Sequence, residues 1–308
     1  MQEGNLMQYS HYFVVFSLLF CFCAKPEHKT EANNPYKLIP GWPELPAGWT
    51  LDAATGVAVD SLDQVYVLNR GAHPLLCFSR EGKLIRSWGE GMFKEAHGLR
   101  IGPDNSIWTT DTGDHLVMKF TPEGKLLMTL GVKGDSGETN NKFHRPTDMA
   151  FTPSGDIYIS DGYGNSRVVK YSKDGKFLFT WGTKGTGEGQ FDLPHTVRLD
   201  SKGQVYVGDR NNGRIQIFTP EGKFINQWAN LGQPWGLWIT PDDMFYVSDG
   251  KNSKIMKLNV KGEILESWGT QGTNPGEFNL CHQIAVDSKG DLYITEITNK
   301  RIQKFTKM

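Results

Sequence analysis

The chain has 308 residues, and its 33 lysines and arginines nearly balance its 34 aspartates and glutamates, giving a formal net charge of -1. A charge this close to zero excludes the strongly basic surface that proteins use to bind nucleic acids or anionic membranes. The length suits one large all-β domain, and no change in composition along the chain indicates a second domain.

The first predicted element is an apolar run at residues 12–23. It is too short to span a bilayer comfortably and is typical of the core of a signal peptide, although no lysine or arginine precedes it. We expect residues 1–24 to be a signal peptide and residues 25–35 a polar tether. A lipoprotein signal, with the lipid on Cys21 or Cys23, is an open alternative. The protein is then exported, as a periplasmic, membrane-anchored or secreted protein without an integral membrane domain.

Cys77 and Cys281 are the cysteines that remain after such processing. They fall in different parts of the chain and do not form a disulfide framework.

The rest of the chain is a sixfold repeat. Six segments align without gaps and begin at intervals of 40 to 50 residues, at Thr55, His97, Thr147, His195, Trp235 and His282. Each is followed by further short runs of β-branched and aromatic residues, bounded by Gly, Pro, Asp and Asn, which are typical of strands and turns. Four strands in a repeat of this length predict an all-β fold, a six-bladed β-propeller over residues 36–308.

The last repeat ends after its third strand, so a fourth strand is missing at the C-terminus. Residues 36–42 (Tyr-Lys-Leu-Ile-Pro-Gly-Trp) resemble the fourth-strand pattern of residues 83–89 (Lys-Leu-Ile-Arg-Ser-Trp-Gly). We predict that this N-terminal strand completes the sixth blade and closes the ring, because an unpaired strand edge is a liability.

His97, His195 and His282 occupy the first position of alternate repeats. Alternate blades of six lie about a third of a turn apart, so the three imidazoles converge on the central axis. Three imidazole ligands that leave a coordination position open are typical of a catalytic zinc ion. Packing alone explains a single histidine there, but not three in alternate blades. The remaining histidines considered fall at other positions of the repeat and are expected to be surface or packing residues: His73, His115 and His144.

Other polar residues reach the same mouth of the channel, because in an antiparallel blade the second strand ends where the first begins. The residues at these ends are expected to cap loops by accepting backbone N–H bonds: Asn69, Asp111, Asp161, Asp209, Asp249 and Glu296. Arg70 and Arg210 depart from the repeat and favour a substrate carboxylate, with an inter-blade salt bridge as the alternative for either. Tyr163 is a candidate general base or acid, provided that the metal and arginine charges lower its pKa; packing over the loop is its alternative. The residues alone therefore indicate a metal-assisted lyase or hydrolase acting on a small carboxylate or hydroxy acid.

The repeat resembles the NHL repeat, and the whole propeller resembles peptidyl-α-hydroxyglycine α-amidating lyase. The most specific segments are residues 143–148, 158–167, 193–196 and 209–216. The resemblance implies zinc held by His97, His195 and His282, Tyr163 as the catalytic base, and Arg70 and Arg210 as carboxylate-binding residues that stabilise developing charge. The implied reaction cleaves the C–N bond of a peptidyl- or N-acyl-α-hydroxyglycine, giving an amide and glyoxylate.

The chain also departs from that family. Gln283 stands where the family has a calcium-binding aspartate, and a neutral amide is a weaker ligand for calcium, so a structural calcium ion is disfavoured. Leu280 and Cys281 replace an expected Met-Pro pair, and Gly164 and Ile217 stand at two positions where the family has disulfide cysteines. The copper monooxygenase that makes the substrate is not part of this sequence, so a separate enzyme would supply it, or the substrate is a smaller N-acyl or ureido analogue.

Two other functions remain open. One is a non-catalytic NHL propeller that acts as a binding module. The other is a calcium-dependent lactonase or esterase, which ranks last because such sites need carboxylate and amide ligands on the axis, where this sequence has imidazoles.

Overall fold

The computed structural model describes residue 1 and residues 35–308, and the strands of the fold lie between residues 36 and 307. The regular elements of the described part are all β-strands. No described segment forms a helix long and apolar enough to cross a membrane. The predicted signal peptide and polar tether lie, apart from residues 1 and 35, outside the described residues.

Six four-stranded antiparallel sheets form the blades. An N-terminal strand comes first, β1 (Tyr36–Ile39). The first blade contains β2 (Ala54–Val59), β3 (Val65–Asn69), β4 (Leu75–Phe78) and β5 (Leu84–Trp88). The second contains β6 (Ala96–Ile101), β7 (Ile107–Asp111), β8 (Leu116–Phe120) and β9 (Leu126–Leu130). The third contains β10 (Asp148–Phe151), β11 (Ile157–Asp161), β12 (Arg167–Tyr171) and β13 (Phe177–Trp181).

A short parallel pair, β14 (Thr183–Lys184) and β15 (Gln190–Phe191), precedes the fourth blade. That blade contains β16 (Pro194–Leu199), β17 (Val205–Asp209), β18 (Arg214–Phe218) and β19 (Phe224–Ala229). The fifth contains β20 (Pro234–Ile239), β21 (Phe245–Asp249), β22 (Lys254–Leu258) and β23 (Ile264–Trp268). The sixth contains β24 (Cys281–Val286), β25 (Leu292–Glu296) and β26 (Arg301–Lys307). The innermost strands contact one another in a closed ring, in the order β2, β6, β10, β16, β20, β24 and back to β2. This confirms the six-bladed propeller.

The sixth blade is completed by the N-terminal strand. β1 pairs antiparallel with β26, with Tyr36 opposite Lys307 and Leu38 opposite Phe305. Beyond β1, the Trp42 ring packs against Tyr293 of the same blade and Phe78 of the first, at centroid separations of 4.9 and 5.9 Å. The predicted closure is confirmed, and Trp42 joins the first and last blades.

The recurrent glycine in the turn between the third and fourth strands has a packing role. Gly124 and Gly222 have φ values of +91° and +81°, and a Cβ at either would lie 2.6–2.8 Å from the fourth-strand tryptophan of the preceding blade, Trp88 or Trp181. A side chain would be strained there and would also displace the indole. The Gly in the repeated turn therefore allows each blade to pack on its neighbour. Cys77 and Cys281 are buried free thiols in different blades, as expected.

Candidate metal centre

The three histidines lie at irregular positions of the innermost strands. The pairing register of β16 with β17 shifts at His195, and those of β6 with β7 and β24 with β25 shift at His97 and His282. Such β-bulges turn a side chain away from the regular alternation of a strand and are common beside functional sites. The same shift occurs at Thr55 and Trp235, so the irregularity belongs to this position of the repeat and not to the histidines alone.

The three imidazoles converge as predicted. Their ring centroids are 4.7–5.0 Å apart, and the nitrogen atoms that they offer lie within 4.8 Å of one another. Each histidine is only 1% exposed. Three buried histidines therefore lie close enough together to bind one metal ion.

Hydrogen bonds to the backbone fix the orientation of each ring. Nδ1 of His97 lies 2.8 Å from the carbonyl oxygen of Thr147, Nδ1 of His195 lies 2.6 Å from that of Trp235, and Nδ1 of His282 lies 2.5 Å from that of Thr55. A carbonyl oxygen only accepts, so Nδ1 carries the proton and Nε2 of a neutral ring keeps its lone pair. Second-sphere carbonyls of this kind are typical partners of metal-binding histidines.

The acceptors come from the three blades that lack a histidine. Thr55, Thr147 and Trp235 occupy the same repeat position as the histidines. Close approach of the blades requires a small residue beside the ring: a Cβ at Gly98 would lie 2.6 Å from the carbonyl oxygen of Thr147. The alternation seen in the sequence thus has a structural reason, since three blades supply imidazoles and three supply the carbonyls that orient them.

The surroundings keep the imidazoles neutral. Burial lowers the pKa of His97 and His195 well below the usual value, with the neighbouring histidines and Arg210 acting in the same direction. Burial likewise lowers the pKa of His282 to about 3, although its hydrogen bond to Thr55 opposes the shift. Neutral imidazole is the form that binds a metal ion. The donor set therefore fits a divalent cation such as zinc.

Tyr163 lies against two of the three histidines. Its hydroxyl oxygen is 3.1 Å from Nε2 of His97 and 3.2 Å from Nε2 of His195, and Nη1 of Arg210 donates to it at 3.5 Å. Burial raises the pKa of Tyr163 despite the opposing positive charge of Arg210 and Arg70. The arginines alone therefore do not lower the pKa of the phenol below its usual value. A cation bound by the histidines would have to lower it further.

The two predicted arginines reach the same mouth by different contacts. Arg210 stacks on the indole of Trp235, with its guanidinium carbon 4.3 Å from the ring centroid. Arg70 donates to the carbonyl oxygen of Ala96 at 3.0 Å and pairs with Glu95 at 3.3 Å. The inter-blade salt bridge weighed for Arg70 is therefore present, and it leaves the side chain 32% exposed at the mouth.

Sequence reasoning missed Arg145, Glu95 and Trp235 as members of this site. Arg145 lies over the Tyr163 ring, with its guanidinium carbon 5.4 Å from the centroid, and it pairs with the other oxygen of Glu95 at 2.8 Å. Glu95 thus joins two arginines of the mouth. In the sequence, only the position of Arg145 within residues 143–148 indicated a role in the site. Its backbone has φ = +64°, which no sequence pattern predicts.

The residues expected to cap loops do so. Asp111 accepts backbone N–H bonds from Lys94 and Glu95 at 2.7 and 3.0 Å. The matching residues of the other blades also accept such a bond from the segment before the first strand of their own blade: Asn69 from Asp52, Asp161 from His144, Asp209 from Asp192, Asp249 from Gln233 and Glu296 from Asn279. These caps hold the loops that carry Arg70, Tyr163 and Arg210.

Gly164 and Gln283 are two positions where the sequence departs from the family it resembles, and the structure shows what each residue contacts. Gly164 leaves room for His144, whose ring carbon would lie 2.1 Å from a Cβ there. Gln283 Oε1 accepts hydrogen bonds from Nη1 of Arg100 at 3.1 Å and from the Val57 backbone N–H at 3.3 Å. The same Nη1 donates to the carbonyl oxygen of Leu99 at 3.1 Å. An oxygen that faces a guanidinium cation is not available to calcium, so these residues do not fit the ion.

Comparison with known proteins agrees with this fold. The family model described as NHL repeat matches residues 143–171 and 191–218. The chain is 34% identical over 296 residues to human NHL repeat-containing protein 3, covering 88% of this chain and 84% of that one. It is 31% identical over 253 residues to peptidyl-alpha-hydroxyglycine alpha-amidating lyase 1 of Drosophila melanogaster, covering 73% of this chain and 47% of that protein.

Among solved structures, a streptogramin B lyase superposes with a TM-score of 0.64 at 15% identity, covering 88% of this chain and 97% of that one. At this identity the similarity concerns the fold alone.

Proposed function

This chain belongs to the NHL-repeat family, and from that premise we propose that it is a zinc-dependent lyase acting on peptidyl- or N-acyl-α-hydroxyglycines. The observation that carries the proposal is the orientation of the imidazoles of His97, His195 and His282. Each Nδ1 is satisfied by a backbone carbonyl, which leaves three neutral Nε2 atoms to bind one cation. The similarity to the Drosophila amidating lyase supports the reaction class.

Zinc bound by the three Nε2 atoms would lower the pKa of the substrate's α-hydroxyl group and of the Tyr163 phenol. The residues of the mouth have separate tasks. Arg210 and Arg70 bind the carboxylate of the α-hydroxyglycine, as planar guanidinium groups do through paired hydrogen bonds. Trp235 stacks on one face of the Arg210 guanidinium and holds it in place. The N–H groups at the edge of the guanidinium remain free to donate.

Tyr163 moves the proton. Its oxygen lies within hydrogen-bond distance of two imidazoles and of Arg210, so it can exchange a proton with a group held at the histidines. The phenolate removes the proton of the α-hydroxyl, the C–O bond becomes a C=O bond, and the C–N bond breaks with its electron pair going to nitrogen. The nitrogen then takes this proton from Tyr163, giving an amide and glyoxylate and restoring the phenolate, with no change in oxidation state.

The acyl or peptidyl group has a cleft beside Tyr163. This cleft, about 500 Å³ in volume, is lined by polar and backbone-rich residues that include Asn165, Lys184 and Asn211. Its polarity favours a peptide-like or ureido group over a long alkyl chain.

The direct test is glyoxylate release from a panel of N-acyl- and peptidyl-α-hydroxyglycines by the zinc-loaded protein, with the amide measured in parallel. We expect equal amounts of amide and glyoxylate, loss of turnover after chelation, and recovery after zinc is restored. Failure of every member of the panel to yield glyoxylate with a zinc-loaded, folded protein would rule out the lyase.

A binding module without catalysis is the second candidate, since the human relative is named for its repeat and not for a reaction. It predicts no turnover with any member of the same panel. It also predicts that the partner or ligand of such a module binds to the metal-free protein as well as to the zinc-loaded protein.

A further inference from the structure

The opposite mouth of the channel carries a second group of charged residues. Three positions after the first residue of each repeat, at the far end of the innermost strands, three blades have alanine: Ala58, Ala150 and Ala285. The other three have Arg100, Arg198 and Trp238. At about 3.3 Å per residue, these side chains start roughly 10 Å from the histidines along the strands. They are not part of the histidine centre.

The two arginines are buried, and they have fewer hydrogen-bond acceptors and fewer negative charges around them than two guanidinium groups require. Arg100 is 4% exposed and Arg198 is 8% exposed. Both face one carboxylate, Asp148, whose Oδ2 lies 2.7 Å from Nη2 of Arg100 and 3.5 Å from Nη1 of Arg198. One buried negative charge thus serves two buried positive charges, and burial of an unbalanced charge is costly.

Two buried N–H groups of these arginines have no hydrogen-bond partner among the described residues, Nε of Arg100 and Nη2 of Arg198. A buried donor without an acceptor costs about 1–3 kcal/mol, more when it is charged. Both arginines line a cavity of about 400 Å³ that also contacts Trp238. The other titratable residue of the lining is Asp200, whose Oδ1 accepts from the backbone N–H groups of Lys202 and Gln204 and whose Oδ2 accepts from the Tyr206 hydroxyl at 3.3 Å.

We propose that this cavity is an anion-binding site that takes a small carboxylate against the Arg198 guanidinium. A carboxylate supplies the missing acceptor for Nη2 of Arg198 and the missing charge for the pair of arginines, and its planar shape matches a guanidinium edge. Trp238, 5.8 Å from the Arg198 guanidinium, closes one side. The site does not depend on the lyase reaction.

The test uses acetate as the probe and the full zinc-loaded chain. Calorimetric titration is carried out on wild type, Arg198→Gln and Arg210→Gln, the last removing one of the two carboxylate-binding arginines at the histidine mouth. We expect a saturable acetate site that survives in Arg210→Gln and is weakened at least fivefold in Arg198→Gln. Equal acetate affinity in wild type and Arg198→Gln would overturn the proposal, as would the absence of saturable binding in Arg210→Gln, which would mean that water fills the cavity.

Arg198→Lys guards against a folding defect in the glutamine variant. It keeps the charge beside Asp148 but loses the planar pair of donors. We expect it to fold and to bind acetate at least threefold more weakly than wild type. Unchanged affinity in this variant would contradict a carboxylate held by the Arg198 guanidinium.

Discussion

His97 and Thr147 occupy the same repeat position in neighbouring blades, and Nδ1 of His97 donates a hydrogen bond to the carbonyl oxygen of Thr147 at 2.8 Å. The same relationship joins His195 to Trp235 and His282 to Thr55. Each imidazole is thus oriented by the blade that follows it around the ring. The convergence of the three imidazoles depends on correct closure of the propeller, because the last of these bonds joins the sixth blade to the first.

Substitution of Tyr163 separates metal binding from proton transfer. Tyr163→Phe keeps the aromatic ring under Arg145 and Arg210 but removes the hydroxyl group near two histidines. We expect kcat/KM for glyoxylate release to fall by about 10²- to 10⁴-fold, as is typical of a lost general acid or base, with zinc content unchanged.

Tyr171→Phe is the matched control. Its hydroxyl donates to the carbonyl oxygen of Asn140 at 2.7 Å, outside the histidine centre. The Tyr171→Phe variant loses this hydrogen bond but should retain turnover. Similar losses of activity in the two variants would contradict a role of Tyr163 in the reaction.

Neutralisation of Glu95 should strengthen substrate binding. Glu95 pairs with both Arg70 and Arg145, so Glu95→Gln raises the positive charge at the mouth. Partly exposed ion pairs are worth about 0.2–1 kcal/mol, which corresponds to a decrease in KM of up to about fivefold at low salt. The decrease should shrink as salt screens the charges.

Glu90→Gln removes the negative charge of a carboxylate whose Oε1 lies 3.2 Å from Nδ1 of His73, and it leaves the arginines of the mouth unchanged. It serves as the control for Glu95→Gln. An equal decrease in KM in both variants would point to net charge and not to the arginines of the site.

Acid should destabilise the metal-free protein through the buried histidines. Their pKa values are lowered in the folded state, to about 3 for His282, whereas an unfolded histidine titrates near 6.5. Between these values the unfolded chain binds protons that the folded chain does not, so the free energy of unfolding falls as the pH falls. The slope is up to about 1.4 kcal/mol per pH unit for each such histidine.

His282→Asn should flatten that dependence, because asparagine keeps a donor toward the Thr55 carbonyl and does not titrate. Denaturant unfolding of chelator-treated proteins from pH 7 to pH 4 measures the difference. Parallel curves for wild type and His282→Asn would show that His282 is not held in its neutral form.

Deletion of residues 36–42 should destabilise the whole propeller. It removes the strand that pairs with β26 and the Trp42 ring that packs against Phe78 and Tyr293. Loss of a buried tryptophan alone costs about 3–5 kcal/mol, so we expect the melting temperature to fall by at least about 10 °C. Trp42→Ala, which keeps the strand pairing, should show a smaller decrease; an unchanged melting temperature in the deletion would contradict closure by this strand.

The fold and the histidine centre follow from the sequence because both depend on periodicity. The repeat positions of His97, His195 and His282 lead directly to one axis, and the antiparallel order of each blade brings Arg70, Tyr163 and Arg210 to the same mouth. These relationships need only strand order and register, which short alternating strands specify well.

The remaining parts of the site depend on contacts between blades, which a pattern within one repeat does not contain. Glu95 meets Arg70 and Arg145 across blade boundaries, and Trp235 holds Arg210 only because its ring packs under the guanidinium. The repeat alignment marks Trp235 only as a position without histidine. Similarly, the pairing of Gln283 with Arg100 is visible only once the innermost strands are placed side by side.

Metal content is the measurement that bears most directly on the proposed centre. Wild-type protein and His195→Asn are loaded with zinc, dialysed and analysed by elemental analysis, after circular dichroism has shown that both are folded. Asparagine retains a donor for the Trp235 carbonyl but lacks the Nε2 lone pair. We predict about one zinc ion per wild-type chain, as expected for a single three-histidine site, and its loss in His195→Asn. A folded wild-type protein that retains no zinc, or a variant that retains as much as wild type, would contradict the three-histidine metal centre.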